Sequence, residues 1–171
     1  MQKQVIYPNF IPRLFSVTID LSILAITLSP IINIISKYIF IWVFQDFFQA
    51  HNVDMSNNDA LAASMAMQAF VDYLTLESTL KYSAILITIH TCFMGGYFVF
   101  FWRKFGATPG KMIMRMKIVD ADDQKSKLST YRCIRRFFGY ITALLSLLSV
   151  HFNKRGMTIH DKMANSVVIK A

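Results

Sequence analysis

Two long apolar runs dominate the chain. Leu14 to Ile35 carries a single charged residue, Asp20, and its 22 positions predict a helix of about 33 Å, enough for a hydrocarbon core of about 30 Å. Tyr82 to Trp102 is 21 residues without a charge, a second predicted crossing. The spans are placed at 14–36 and 82–102, with Pro30 expected to kink the first by removing a backbone hydrogen bond. The first run is too long for a cleaved signal peptide, contains an acid and has no small-x-small site after it, so it is read as an uncleaved span.

Between the spans, 37–80 changes character twice. Tyr38 to Phe48 is dense in aromatics and fits an interfacial belt, with Tyr38 and Trp42 at headgroup level. His51 to Asp59 is polar and turn-rich. Leu61 to Leu76 then predicts an amphipathic helix with Ala63, Met67, Phe70 and Leu74 on one face.

After the second span the period changes. Met112, Met114, Met116 and Ile118 alternate with Arg115 and Lys117, which predicts a half-buried strand over 112–119. Val167 to Ile169 supplies a strand to pair with it, a small β-hairpin-like element. Ser129 or Thr130 caps a helix starting near Tyr131. Phe137 to Phe152 is at the lower edge of spanning length, with basic residues at both ends. The segment 133–152 is therefore a third transmembrane or a re-entrant helix. Re-entry is preferred, because a crossing would put the basic tail outside.

Charge sets the orientation. Arg103 to Arg136 holds ten basic residues against three acids, whereas no basic residue lies between Lys37 and Lys81. The positive-inside rule puts the N-terminus and the basic hairpin (103–132) in the cytoplasm and 37–80 outside. Of the 171 residues 54% are hydrophobic and 16% charged, below the roughly 25% charged of globular chains. The reading is one α-helical integral membrane domain, closing with a C-terminal motif and strand over 153–171. The net charge of +8 needs no nucleic acid to explain it. Cys92 and Cys133 make no disulfide framework. Four scattered histidines give no metal spacing, no nucleophile–base set points to an enzyme, and no cofactor is expected. Gly106 to Lys111 lacks the spacing and the hydroxyl of a phosphate loop.

Asp20 is the residue that asks for a partner. An acid inside a span costs roughly 2.5 to 3.5 kcal/mol on insertion scales. It lies about 9 Å beyond the cytoplasmic end of its helix, and the same count back from Trp102 reaches Gly96, beside Gly95 and Tyr97. Small residues let helices approach, and the Tyr97 hydroxyl can donate to Asp20. His90, about 18 Å from that end, is out of reach.

Three motifs now fall in order: Pro12-Arg13-Leu14-Phe15 with Asp20; Gly106-x-Thr108-Pro109-Gly110-Lys111 with Lys117-Ile118-Val119; and Arg155-Gly156-x-x-x-His160-Asp161-Lys162-x-Ala164 before Val167-Val168. In these the chain resembles the RDD family of bacterial membrane proteins, named for an arginine and two aspartates. The resemblance implies a multi-pass protein of the bacterial inner membrane, with Arg13, Asp20 and Asp161 as the candidate functional residues. It leaves 38–80 uncovered, and Asn165-Ser166 departs from the Gly-Thr of many relatives. Two functions follow. In one, Asp20 exchanges a proton, cation or small solute and a homo-oligomer encloses the path. In the other, the chain is a non-transporting scaffold or assembly factor whose basic hairpin docks a cytoplasmic protein partner or anionic lipid. Arg13 and Asp161 are equally accounted for by a salt bridge that locks the tail to the first helix.

Overall fold

The computed structural model describes residues 6–50, 67–123, 126–140 and 157–170. Helix α1 (Phe10–Val43) is 34 residues long, about 51 Å. It begins before the predicted span, with Pro12 in the first turn, where no intrahelical donor is lost. It also continues past Lys37, through aromatics that the pattern had placed outside the span. Nothing from Tyr38 to Val43 breaks a helix, so α1 ends only at the aromatic cluster beyond. After α2 (Gln45–Ala50) and α3 (Gln68–Tyr73) comes α4 (Leu76–Phe105), 30 residues long. Helices α1 and α4 are both long and apolar enough to cross a membrane. Of the predicted amphipathic helix over 61–76, residues 67–76 are described: α3 ends at Tyr73, Leu74 is its extended C-cap, and Leu76 already begins α4.

The chain forms two compact units, Thr27–Cys92 and Met1–Ile26 with Phe93–Ala171. The first has an aromatic core of Phe40, Phe44, Phe47, Phe48 and Phe70. Tyr82 meets Phe40 edge-on at 5.7 Å, and its hydroxyl is 2.8 Å from that of Ser36. The expected interfacial belt is thus divided. Its phenylalanines pack inward, while Tyr38 and Trp42 remain exposed.

The second unit holds α5 (Pro109–Ile113), β1 (Met116–Asp120), α6 (Thr130–Gly139), α7 (Ile159–Met163) and β2 (Ser166–Lys170). Strands β1 and β2 pair antiparallel, Met116 opposite Lys170 and Asp120 opposite Ser166. The sheet is therefore no local hairpin, since its second strand comes from the C-terminal motif. The strand predicted from Met112 begins at Met116. Thr108 as N-cap and Pro109 at the first helical position turn the preceding residues into α5 instead. Ser129 caps α6, accepting from the Arg132 backbone N–H. Helix α6 covers the start of the 133–152 segment; 141–156 lies outside the described residues.

The sheet is built from a repeat. A threonine N-cap, a five-residue helix, a left-handed residue and a five-residue strand occur twice: Thr108, α5, Arg115, β1, then Thr158, α7, Asn165, β2. Each landmark recurs fifty residues on, and Ile118 and Val168 face one another at the centre of the pairing. The two left-handed positions are unlike. Asn165 (φ 46°) is a residue type that tolerates this region, whereas Arg115 (φ 52°) carries a cost of roughly 1 to 2 kcal/mol.

Candidate functional site

Asp20 is fully buried on α1 and accepts three hydrogen bonds. Thr108 Oγ1 donates to Oδ2 at 2.5 Å, the Gly110 backbone N–H to Oδ1 at 2.7 Å, and Tyr97 Oη to Oδ1 at 3.1 Å. All three donors are neutral. Thr108 makes no side-chain cap of its own, so Asp20 supplies from another helix the acceptor that an N-terminus needs. Gly110 makes this approach possible. A Cβ there would lie 2.1 Å from the Ser16 carbonyl oxygen and 3.0 Å from Asp20 Cγ.

Asp161, in the equivalent helix α7, is capped within its own segment. Thr158 Oγ1 accepts from the Asp161 N–H at 3.3 Å, and Asp161 Oδ2 accepts from the Thr158 N–H at 3.0 Å, a capping box. The same carboxylate lies between two guanidinium groups. Arg13 Nη1 reaches Oδ2 at 2.9 Å and Arg136 Nη2 pairs with Oδ1. Arg136 also donates from Nη1 to Ser166 Oγ at 2.6 Å and sits 5.2 Å from the centre of the Trp102 ring. Arg13 Nε donates to the Pro8 carbonyl at 3.3 Å. Burial would raise the Asp161 pKa, but Arg136 and Arg13 with the Thr158 N–H outweigh it and hold the carboxyl well below the usual range. Beside it, burial pushes the His160 imidazole down to about 3, opposed by Asp161 and assisted by the charges of Arg136, Lys111 and Arg13. His160 is therefore neutral near neutrality. Its ring lies 4.3 Å from that of Tyr140, whose hydroxyl accepts from buried Lys111 Nζ at 3.3 Å.

Geometry thus sorts the sequence-derived residues into two clusters. Asp20, Tyr97, Thr108 and Gly110 form one; Arg13, Asp161 and His160 belong to the other. Arg13 bonds Pro8 and Asp161, and Asp20 bonds Tyr97, Thr108 and Gly110, so the two clusters have separate partners. Pro109 opens α5, and Lys111 leans toward the second cluster through Tyr140. Gly95 faces Phe137, whose ring would stand 3.0 Å from an added Cβ, while Gly96 has nothing within 4 Å and makes no close approach. His90 bonds the Leu86 carbonyl on its own helix at 2.8 Å. Sequence reasoning missed Arg136, Thr158 and Ser166. The Thr158-x-x-Asp161 spacing signals the capping box, but nothing local marks Arg136.

The chain matches the model of the RDD family over residues 7–165. It is similar to an uncharacterized protein of Rickettsia prowazekii (strain Madrid E), 34% identical over 178 aligned positions that cover all of both chains. No solved structure matches it.

Proposed function

The chain belongs to the RDD family, and from that premise we propose that it works as a non-transporting membrane scaffold rather than as a carrier. One observation carries the reading: Arg13, Asp20 and Asp161 are at most 3% exposed, and each is bonded to partners inside the chain. A carboxylate that exchanges a cation needs open coordination, whereas Asp20 spends its oxygens on Thr108, Gly110 and Tyr97. The three residues act as a latch. Asp20 pins α5, and through it β1, to the first helix. Arg13 pins α7, and through it β2, to the start of the same helix.

The unit that the latch holds together is basic on its surface. Arg103, Lys104, Arg115, Lys117, Lys127, Arg135, Lys162 and Lys170 are exposed there, against only Asp122 and Asp123 among the exposed described acids of that unit. With α1 and α4 crossing the bacterial inner membrane and the N-terminus inside, the charge rule puts this face in the cytoplasm. There it docks an acidic protein surface or an anionic lipid surface. Everted vesicles test the reading. Wild type and Asp20→Asn are both expected to leave imposed proton and cation gradients unchanged. Gradient movement by wild type that Asp20→Asn abolishes would establish transport and overturn the scaffold.

A further inference from the structure

Beside β1 lies a cavity of about 360 Å³, lined by Phe105, Ala107, Met112, Arg115, Met116 and Lys117. We propose that it is a binding site for one anionic phospholipid, whose phosphate lies between Arg115 and Lys117 and whose first acyl carbons lie on Phe105 and Met112. The proposal rests on reading the basic face as a docking surface, and it names the ligand.

Three observations meet at this cavity. The first is its place in the chain, since Phe105 is the last residue of α4, a helix apolar enough to cross a membrane. A pocket that opens at such a helix end faces the headgroups. Phe105 and Met112, which line it, are exposed large apolar side chains, a surface that water disfavours and lipid chains cover. The second is charge. The lining contains two cations and no acid, and neither Arg115 nor Lys117 takes part in an ion pair among the described residues. A lining of apolar side chains with a pair of unneutralised cations matches an amphiphile with one anionic end. The volume is at the small end of ligand pockets, suited to a phosphoglycerol group and the start of its chains.

The third observation comes from the repeat. Its second half places Asn165 at the left-handed position, and its first half places Arg115 there. Both positions follow the same threonine-capped helix and precede the same strand. The backbone task is thus identical, and asparagine performs it with little strain. An arginine held in this region against its conformational preference marks a functional side chain. Here that side chain lines the cavity.

The test uses purified full-length protein in detergent, with phosphatidylglycerol and phosphatidylcholine titrated in competition and bound lipid counted by native mass spectrometry. Wild type should retain one phosphatidylglycerol in preference to phosphatidylcholine. Arg115→Asn with Lys117→Gln should weaken that retention about thirtyfold, at about 1 kcal/mol per lost cation. Arg115→Asn alone should weaken it about fivefold and unfold at the same or a higher temperature, because strain is relieved. Loss of binding with stability kept excludes misfolding as the cause. Inorganic phosphate should not displace the lipid; full displacement at equal concentration would mean a site for free phosphate and overturn the proposal. Equal retention of phosphatidylcholine, or undiminished retention by the double variant, would overturn it too. Gradient movement in everted vesicles would sink the scaffold reading and leave this lipid site intact, so the two failures are distinguishable.

Discussion

Arg13 and Asp161, separated by 148 positions, meet at 2.9 Å with side chains 3% and 0% exposed. The pair joins the start of α1 to the C-terminal helix and strand. Because Arg136 holds the other oxygen of the same carboxylate, the two partners are not equivalent. Removing Arg13 leaves Asp161 still neutralised, whereas removing the charge of Asp161 strands two buried guanidinium groups. Breaking a buried pair costs about 3 to 5 kcal/mol. Thermal unfolding in detergent should therefore rank Asp161→Asn as more destabilised than Arg13→Ala. The reverse order would mean that Arg136 does not share the carboxylate.

Asp20 should show a graded response. Asparagine keeps one acceptor for the Gly110 N–H, while leucine keeps none and leaves Thr108 and Gly110 without their partner. A buried donor left unmatched costs about 1 to 3 kcal/mol. Unfolding measurements should place Asp20→Asn between wild type and Asp20→Leu. Equal losses in the two variants would mean that negative charge, rather than hydrogen-bond acceptance, is what this position supplies.

Two glycines make a paired test of close approach. Alanine at 110 would place its Cβ 2.1 Å from the backbone oxygen of Ser16. That contact forces α5 off α1, at a cost of about 3 kcal/mol or more. At Gly96 nothing lies within 4 Å, so alanine there should be neutral, or gain up to about 1 kcal/mol from helix propensity. Proteolysis of the second unit should accelerate in Gly110→Ala and be unchanged in Gly96→Ala.

His160 gives the stability a defined pH dependence. Its folded pKa lies near 3, below the ordinary value of about 6.5, so between those values the unfolded chain takes up a proton that the folded chain refuses. Stability should consequently fall as pH drops from about 6.5 toward 3, with a slope of up to about 1.4 kcal/mol per unit. Asp161, whose folded pKa is depressed, adds its own loss only below its ordinary value of about 3.9. Chemical unfolding at pH 7 and pH 5 should show His160→Asn to be flatter than wild type across that interval. Parallel slopes would place the proton uptake elsewhere.

The amino-acid pattern was enough to read two helices of crossing length, because an apolar run of about 20 residues has few other uses. It was also enough to know that Asp20 needed a partner, and helical counting along antiparallel runs reached Tyr97. Alternation marked 112–119 as a strand and the apolar run 167–169 as a partner for it, although the strand starts at Met116 and the antiparallel register is a finding of the structure.

Other features were decided only in three dimensions. Helices α5 and α7 have five residues each, too few for a period to be visible. The donors that Thr108 and Gly110 give Asp20, and the second guanidinium that Arg136 gives Asp161, come from residues with no local mark of their role. Gly110 is required by a carbonyl 94 positions earlier in the chain, and Phe40, Phe44, Phe47 and Phe48 turned inward because Phe70 and Tyr82 were there to receive them. Local sequence fixes which groups must be buried and which need a partner, since desolvation acts on each residue by itself. Which partner answers is settled by packing, which brings together residues from distant parts of the chain.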